Sequence, residues 1–443
     1  MSDLASAIFR PAGSLSCVRE EGEARVRLAR FLYYGGLLSV GQLTIRPAFS
    51  VNLSDYLFFA ALVVAFPSLF SQRLGDGYLP RGVLCGAYLF CLGALLSTFA
   101  SPQPVRSLLW TVRFAYVTVV WFWLGTMVLR RSDQVRTAVV CWVVSPAING
   151  AAAVAQLFWG NVIPGAAVAG GRMAGFTQHP NFLGASAAVA FIAAIWLATS
   201  SPRSMPVPFA GIVTVALLAT GIVLSGSVGG LIAATVAAAT YLALSRPSLR
   251  VILLAAVIAA TALAAIQFQI REGAPTPLQR VQQVRQQGGS VSARLDKYRL
   301  IIPRIERDPL IGAGMGAEAD ANQSNLGFGD NTLLGVWYEG GLLALLGLLF
   351  VLASLIFTAL DALRRSVDGR DRLLCAALLA CLLAYLAWAM GAPALFERYG
   401  WVPAALVLAV RAQQWRTTTA SESAGQVHDR TEADQGLRPE AGR

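Results

Sequence analysis

Apolar residues along this chain gather in long runs and seldom alternate with polar ones. Runs of roughly 17 to 25 residues, each long enough to cross a bilayer core as a helix, recur along nearly the whole sequence. They fall at 29–45, 52–70, 82–99, 107–129, 137–159, 181–199, 206–224, 228–244, 250–269, 331–359, 372–391 and 394–411. The pattern predicts an all-α, polytopic transmembrane helical bundle of about twelve spans. The stretch from Pro206 to Leu244 reads either as two spans or as one re-entrant unit. Residues 1–28 form a polar segment before the first span, with no cleavable signal sequence evident. Residues 412–443, rich in Thr, Ser, Glu, Gln and Gly, lack apolar periodicity and are expected to form a disordered tail.

One connection is much longer than the rest. Residues 270–330, between spans nine and ten, are numerous enough to fold into structure of their own, and long ordered loops usually carry function. From Pro277 to Glu306 the segment is helix-like, with Val281, Val284, Val291, Leu295, Tyr298 and Ile301 or Ile302 spaced as an apolar stripe.

Composition agrees with this reading. Hydrophobic residues make up 56% of the chain and charged ones 13%, against about 25% charged in a soluble domain, so a soluble globular enzyme is excluded. The net charge of +11 comes from 34 arginines and one lysine, Lys297, set against 24 acids. These arginines are scattered through short loops and do not form one dense basic face, which argues against a nucleic-acid partner. Five cysteines, Cys85, Cys91, Cys141, Cys375 and Cys381, sit inside apolar runs without metal-ligand spacing and read as small core residues.

Basic residues in short loops are retained on the cytoplasmic side. One alternating topology puts Arg19 to Arg30, Arg73, Arg81, Arg130, Arg131, Arg136, Arg203, Arg246, Arg250 and Arg364 to Arg372 inside. Only Arg46, Arg106, Arg172 and Arg398 fall at the short outer loops and their rims. Both termini are then cytoplasmic and the 270–330 loop is external. That loop is basic, so the outer surface is equipped to meet an anion.

Candidate chemistry follows from charge near this outer rim. Arg294 and Lys297 lie three residues apart on one helical face, and Arg299 and Arg304 follow. Guanidinium groups grip phosphate as a bidentate fork; the alternative is an interfacial helix whose basic residues touch lipid headgroups. Arg172, between glycines in Gly171-Arg172-Met173-Ala174-Gly175-Phe176, can approach a bound phosphate. His179-Pro180-Asn181 follows, with His179 either structural or in direct contact with substrate, and Asn181 suited to cap the next helix. The alternating glycines Gly312, Gly314 and Gly316 lack the strand and helix of a nucleotide loop; they bind an anion through their amides or fold the loop back. Asp330 precedes Asn331 at the start of the tenth span, as a helix cap or a catalytic group. Glu339 lies within that span. An acid in such a position is costly, and either pairs with Arg113 of the fourth span or lines a polar cavity.

The order of these features resembles the O-antigen ligase and polymerase superfamily. It runs Gly-Arg-x-x-Gly-Phe, His-Pro-Asn, the Ser225-Gly226-Ser227 turn, Arg294 on a long outer loop, Pro-Leu-Ile-Gly-Ala-Gly, and Asn331 with Glu339-Gly340. The likeness covers roughly residues 165–350. Ligases of the family have histidine where this chain has Asp330, and arginine where it has Val228. The resemblance implies a multi-pass protein of the bacterial plasma membrane, acting on the outer face as a glycosyltransferase in surface-polysaccharide assembly. Its implied partners are a glycan on an undecaprenyl-diphosphate carrier, a glycan or glycolipid acceptor and membrane lipids, with no metal or other cofactor. In that scheme Asp330 is the base or an acceptor ligand, Arg172, Arg294 and Arg299 hold the diphosphate, and His179 and Asn331 complete the substrate site. A transporter or flippase of a lipid-linked or anionic solute is the alternative for so many spans, but no repeat relates the two halves and the polar groups cluster at the outer rim.

Overall fold

The computed structural model describes residues 12–42, 52–71, 78–160, 171–200, 207–245, 289–317 and 331–436, together with Ile266, Gln279 and Gln282. Among these the architecture is all-helical. The helices are α1 (Ala12–Ser39), α2 (Leu53–Ser71), α3 (Arg81–Ala100), α4 (Pro104–Ala115), α5 (Phe122–Val128), α6 (Ser132–Trp159), α7 (Pro180–Ser200), α8 (Val207–Ser225) and α9 (Val228–Leu244). Beyond the long connection come α10 (Gly289–Arg307), α11 (Thr332–Arg365), α12 (Gly369–Ala389) and α13 (Arg398–Gly436). A π-helical turn, Tyr116–Trp121, joins α4 to α5, so that Pro104–Val128 acts as one apolar rod.

Six of these elements are long and apolar enough to cross a membrane: Arg81–Ala100, Pro104–Val128, Ser132–Trp159, Pro180–Ser200, Thr332–Arg365 and Gly369–Ala389. Shorter apolar helices cover Leu53–Pro67, Phe209–Ser225 and Val228–Leu244. The described part of the stretch from Pro206 to Leu244, beginning at Val207, is thus two helices joined at Gly226, whose φ of 56° makes the reversal. The run at 250–269 lies outside the described residues apart from Ile266. The last helix continues from Arg398 to Gly436, so much of the tail expected to be disordered is instead helical.

Helices α7 and α12 are buried over most of their length and form the centre of the bundle. Around them, large apolar side chains such as Phe59, Phe99, Leu109, Phe158, Trp159, Phe209 and Phe357 point outward. A soluble protein rarely exposes so much apolar surface; in a bilayer the same surface is solvated by lipid. Packing is close where side chains are small. A Cβ on Gly93 of α3 would lie 2.4 Å from the Ala344 nitrogen of α11, and one on Gly347 would lie 2.2 Å from the Phe90 nitrogen. Such seams of small residues let membrane helices approach backbone to backbone.

At one end of the bundle, arginines tie helix ends together. Arg411 Nε and Arg365 Nε donate to the two oxygens of Asp361 at 2.7 and 2.8 Å, and Arg30 Nε donates to the Val128 carbonyl at 2.7 Å. The opposite end carries α10, whose buried Ile301 and Ile305 pack on Leu334, Trp337 and Tyr338 of α11. This realises the C-terminal part of the stripe expected in the long loop.

Candidate functional site

Three of the motifs singled out in the sequence come together at the α10 end of the bundle. Arg172 is buried, with 6% of its surface exposed. Its Nε donates to the Ser225 carbonyl at 2.7 Å, and a terminal nitrogen donates to the Asn181 side-chain oxygen. One guanidinium therefore joins the loop before α7, the first turn of α7 and the α8–α9 turn. The loop itself is fixed from below: Gln156 of α6 accepts from the amides of Ala174 and Gly175 at 3.1 and 2.8 Å.

The cap of α7 differs from expectation. Asn181, expected to cap the helix, lies inside it and uses its side chain to hold Arg172. His179 takes the cap role, its Nδ1 accepting the Asn181 amide at 3.1 Å while its carbonyl accepts from Phe182 at 2.9 Å. The α8–α9 turn is self-supporting. Ser225 Oγ accepts the Ser227 amide at 3.1 Å, and Ser227 Oγ accepts the Gly230 amide at the start of α9, also at 3.1 Å.

The second grouping surrounds the start of α11. Its cap is Asn331, whose side-chain oxygen accepts from the amides of Leu333 and Leu334 at 2.9 and 3.2 Å. The capping role considered for Asp330 thus belongs to its neighbour, a residue type equally suited to it; Asp330 itself lies outside the described residues. The next residue, Thr332, clamps the α12–α13 connection, donating to the Ala392 carbonyl at 2.7 Å and accepting the Ala394 amide at 2.8 Å. Nothing in the sequence marked Thr332, because its partners lie sixty positions away.

Further along, α11 breaks at Gly341, where φ is 71° and ψ is −176°. In an unbroken helix the Leu342 amide donates to the Tyr338 carbonyl. Here it donates to the Pro309 carbonyl at 2.9 Å. The carbonyls of Tyr338 and Glu339 are satisfied from the same strand of loop, by the amides of Ala313 at 2.9 Å and Gly314 at 2.8 Å. The Met315 amide goes to Ser107 Oγ at 2.9 Å. Of the two readings left open for this glycine-rich segment, its amides therefore serve the one that folds the loop back, as a plug in the broken helix.

The basic face of α10 is only partly described. Arg299 is exposed and pairs with Asp296 at 3.2 Å, one helical turn away; such exposed pairs contribute little to stability. The backbone of Arg294 lies in the same helix, and its side chain is outside the described residues.

Two cavities share Trp110 in their linings, and the smaller one also touches the plug at Gly316. One of about 180 Å³ is lined by Glu339 and Glu397 together with Trp110, Gly316, Thr332 and Phe396. The other, about 790 Å³, is lined by Asp55, Arg106, Arg113, Tyr116 and Arg398 with an apolar wall. Trp110 and Phe396, with ring centroids 4.4 Å apart, line the small cavity, and the guanidinium of Arg113 stacks 4.9 and 5.2 Å from their centroids. Glu339 and Arg113, considered as a pair from the sequence, thus each line a cavity. The larger cavity joins Arg106 and Arg113 of α4 to Arg398 of α13, residues too far apart in the chain for the sequence to mark them as neighbours.

No curated protein matches this chain. Residues 212–349 match the family model described as O-Antigen ligase. The match runs from α8 into α11 and takes in the Ser225–Ser227 turn that Arg172 braces, α10 with Arg294 and Arg299, the Asn331 cap and the plugged break at Gly341. The motif order seen in the sequence and this match agree, and over residues 212–349 the match supports a likeness to the O-antigen ligase and polymerase superfamily.

Proposed function

We propose that this protein is a glycosyltransferase of the bacterial plasma membrane that moves a glycan from a polyprenyl-diphosphate carrier to an acceptor hydroxyl on the outer face. The observation that carries the reading is the O-antigen ligase match over residues 212–349. It is supported by the convergence of Arg172, the Ser225 turn and Asn331 at the end of the bundle that also bears the basic helix α10. In the proposed topology there are about twelve spans, including the run at 250–269, and both termini are cytoplasmic.

In the proposed reaction the acceptor hydroxyl oxygen attacks the anomeric carbon of the donor sugar. The bond from that carbon to the diphosphate oxygen breaks, and the lipid diphosphate departs with the electron pair. Asp330 takes the hydroxyl proton as general base, or ligates the acceptor. Asn331 holds the start of α11 beside it. Arg294 and Arg299 face the developing negative charge of the leaving group, where positive donors act without a metal. His179 and Arg172 contribute at the α7 side, Arg172 by fixing the turn at Ser225.

A transporter would place interrupted helices about the bilayer midplane. The break in α11 lies only nine residues from its start and is filled by the chain's own backbone, which favours the enzyme. The test is the carrier-linked glycan that accumulates when the gene is deleted. Long chains on the carrier indicate a missing ligase and single repeat units a missing polymerase; unchanged carrier-linked glycans would refute both.

A further inference from the structure

Where α10 gives way to the plug, the chain presents two adjacent aliphatic side chains at its surface: Leu310 is 68% exposed and Ile311 51%. Their backbone is pinned. The Pro309 carbonyl accepts the Leu342 amide at 2.9 Å, and the Ala313 and Gly314 amides hold the carbonyls of Tyr338 and Glu339. A Cβ on Gly341 would lie 2.1 Å from the Leu310 carbonyl oxygen and 2.7 Å from the Ile311 carbonyl carbon, so both residues lie with their backbone against the break in α11.

These contacts set the depth of the pair. Leu342 opens the apolar run of α11, and Leu346, one helical turn further on, is exposed, as are Leu349 and Phe350. That surface belongs to Thr332–Arg365, which is long and apolar enough to cross a membrane, so lipid solvates it. Leu310 and Ile311 are level with its first residues. Single exposed leucines are ordinary on any protein; a rigidly held pair at the rim of a lipid-facing surface extends that surface.

Helix α10 supplies the matching charge. Its buried Ile301 and Ile305 face α11. Lys297, Leu300, Arg304 and Arg307 follow one another at spacings of three, four and three, which aligns them along one flank of the helix. Arg299 lies on the side away from α11 with its partner Asp296 and with Glu306, and Ile302, on the opposite flank, takes no part. Asp308 follows at the helix end, so the flank carries three basic residues against one acid. Leu300 is 45% exposed, and the exposed Arg307 stands three residues before Leu310, within about 10 Å of chain. Aliphatic side chains at acyl-chain depth with basic groups beside them form an interfacial anchor, the apolar part in the leaflet and the cations on headgroup phosphates.

We propose that Leu310 and Ile311 insert into the adjacent bilayer leaflet as a wedge, with Arg304 and Arg307 on the phosphates of anionic phospholipid. The bulk membrane surface is then the partner that holds the plug in the break of α11. The proposal depends neither on the glycosyl-transfer reading nor on which side of the membrane is outer, and it leaves Arg294 and Arg299 to the role proposed above.

The experiment is spin labelling of the full-length protein, in a background without native cysteines, in nanodiscs of phosphatidylcholine with or without phosphatidylglycerol. Labels go on Leu310→Cys and Ile311→Cys, with Glu306→Cys as the water-side reference and Leu346→Cys as the lipid-side one. Relaxation by molecular oxygen, which concentrates among acyl chains, is compared with relaxation by a water-soluble nickel chelate. The oxygen-to-nickel ratio at Leu310 and Ile311 should exceed that at Glu306 by at least about tenfold, because a polar chelate is excluded from hydrocarbon. Phosphatidylglycerol should raise the ratio further, and Arg304→Gln combined with Arg307→Gln should abolish that increment. If one labelled variant does not fold, the other decides the matter. A ratio equal to that at Glu306 would overturn the wedge. Protection from both reagents would overturn it as well, by showing that protein, such as a second copy of the chain, covers the pair. A lipid-side ratio indifferent to phosphatidylglycerol and to both arginines would overturn the headgroup contacts.

Discussion

Arg172 and Ser225, 53 positions apart in the chain, are joined by a 2.7 Å hydrogen bond from the guanidinium Nε to the Ser225 carbonyl, buried in the bundle. The same guanidinium reaches Asn181, so the loop before α7 and the α8–α9 turn share one donor. This bond also links a motif outside the O-antigen ligase match to one inside it.

Arg172→Lys keeps the charge but loses the planar fork. Leaving a buried acceptor unsatisfied should destabilise the folded protein by about 1–3 kcal/mol. Thermal unfolding in detergent would read this as a lowered midpoint. An unchanged midpoint would show that the Arg172 bonds are dispensable to the fold.

Asp330→Asn separates the two roles open to that residue. General-base assistance is typically worth about a hundred- to ten-thousandfold in rate, so a folded but nearly inactive protein is expected in a transfer assay. Ordinary activity would exclude Asp330 as the general base. Because Asn331 already caps α11, the substitution should leave stability unchanged. Asp330→His restores the residue that ligases of the family have here, and activity retained in that variant would indicate a shared mechanism.

Gly341→Ala meets two obstacles. The residue has φ of 71°, and a Cβ would sit 2.1 Å from the Leu310 carbonyl oxygen. The plug would be displaced, exposing the carbonyls of Tyr338 and Glu339 together. We expect the variant to accumulate poorly and to melt at least about 2 kcal/mol less stable than the parent, and a normal melting profile would count against the plugged break.

Asp55 and Arg398 are both nearly buried, with 11% and 6% of their side chains exposed. Removing one partner of such a pair strands the other charge and typically costs about 3–5 kcal/mol. Asp55→Ala should therefore destabilise strongly, while Asp55→Asn combined with Arg398→Gln should be milder than either single change predicts by addition. Simple additivity in a double-mutant cycle would mean that the two residues do not act as a pair.

Topology is testable by cysteine labelling in a background without native cysteines. The arginine distribution predicts that a cysteine at Gln286 reacts with an impermeant reagent in intact cells and that one at Ser366 is protected. The reverse pattern would invert the protein and remove the outer-face mechanism.

The sequence alone determined the helical class, and the apolar runs fixed helix positions to within a few residues for elements such as α3, α7, α9 and α12. The reason is local: a run of apolar residues long enough to span a bilayer must satisfy its backbone internally, and a helix does that without reference to the rest of the chain. Motif order likewise pointed to the superfamily, since it is a linear property. Tertiary structure decided what each polar residue does. Asn181 and Asn331 are both polar residues near helix starts, yet one braces an arginine and the other caps its helix, because only Asn181 has Arg172 folded against it. The same holds for the segment from Gly312 to Gly316, whose Ala313 and Gly314 amides fill a break in a helix that begins more than a dozen residues later, and for Arg106, Arg113 and Arg398, which form one cavity only after the start of α13 packs beside α4. Such partnerships depend on long-range contacts, and a single sequence records the residues without recording which of them meet.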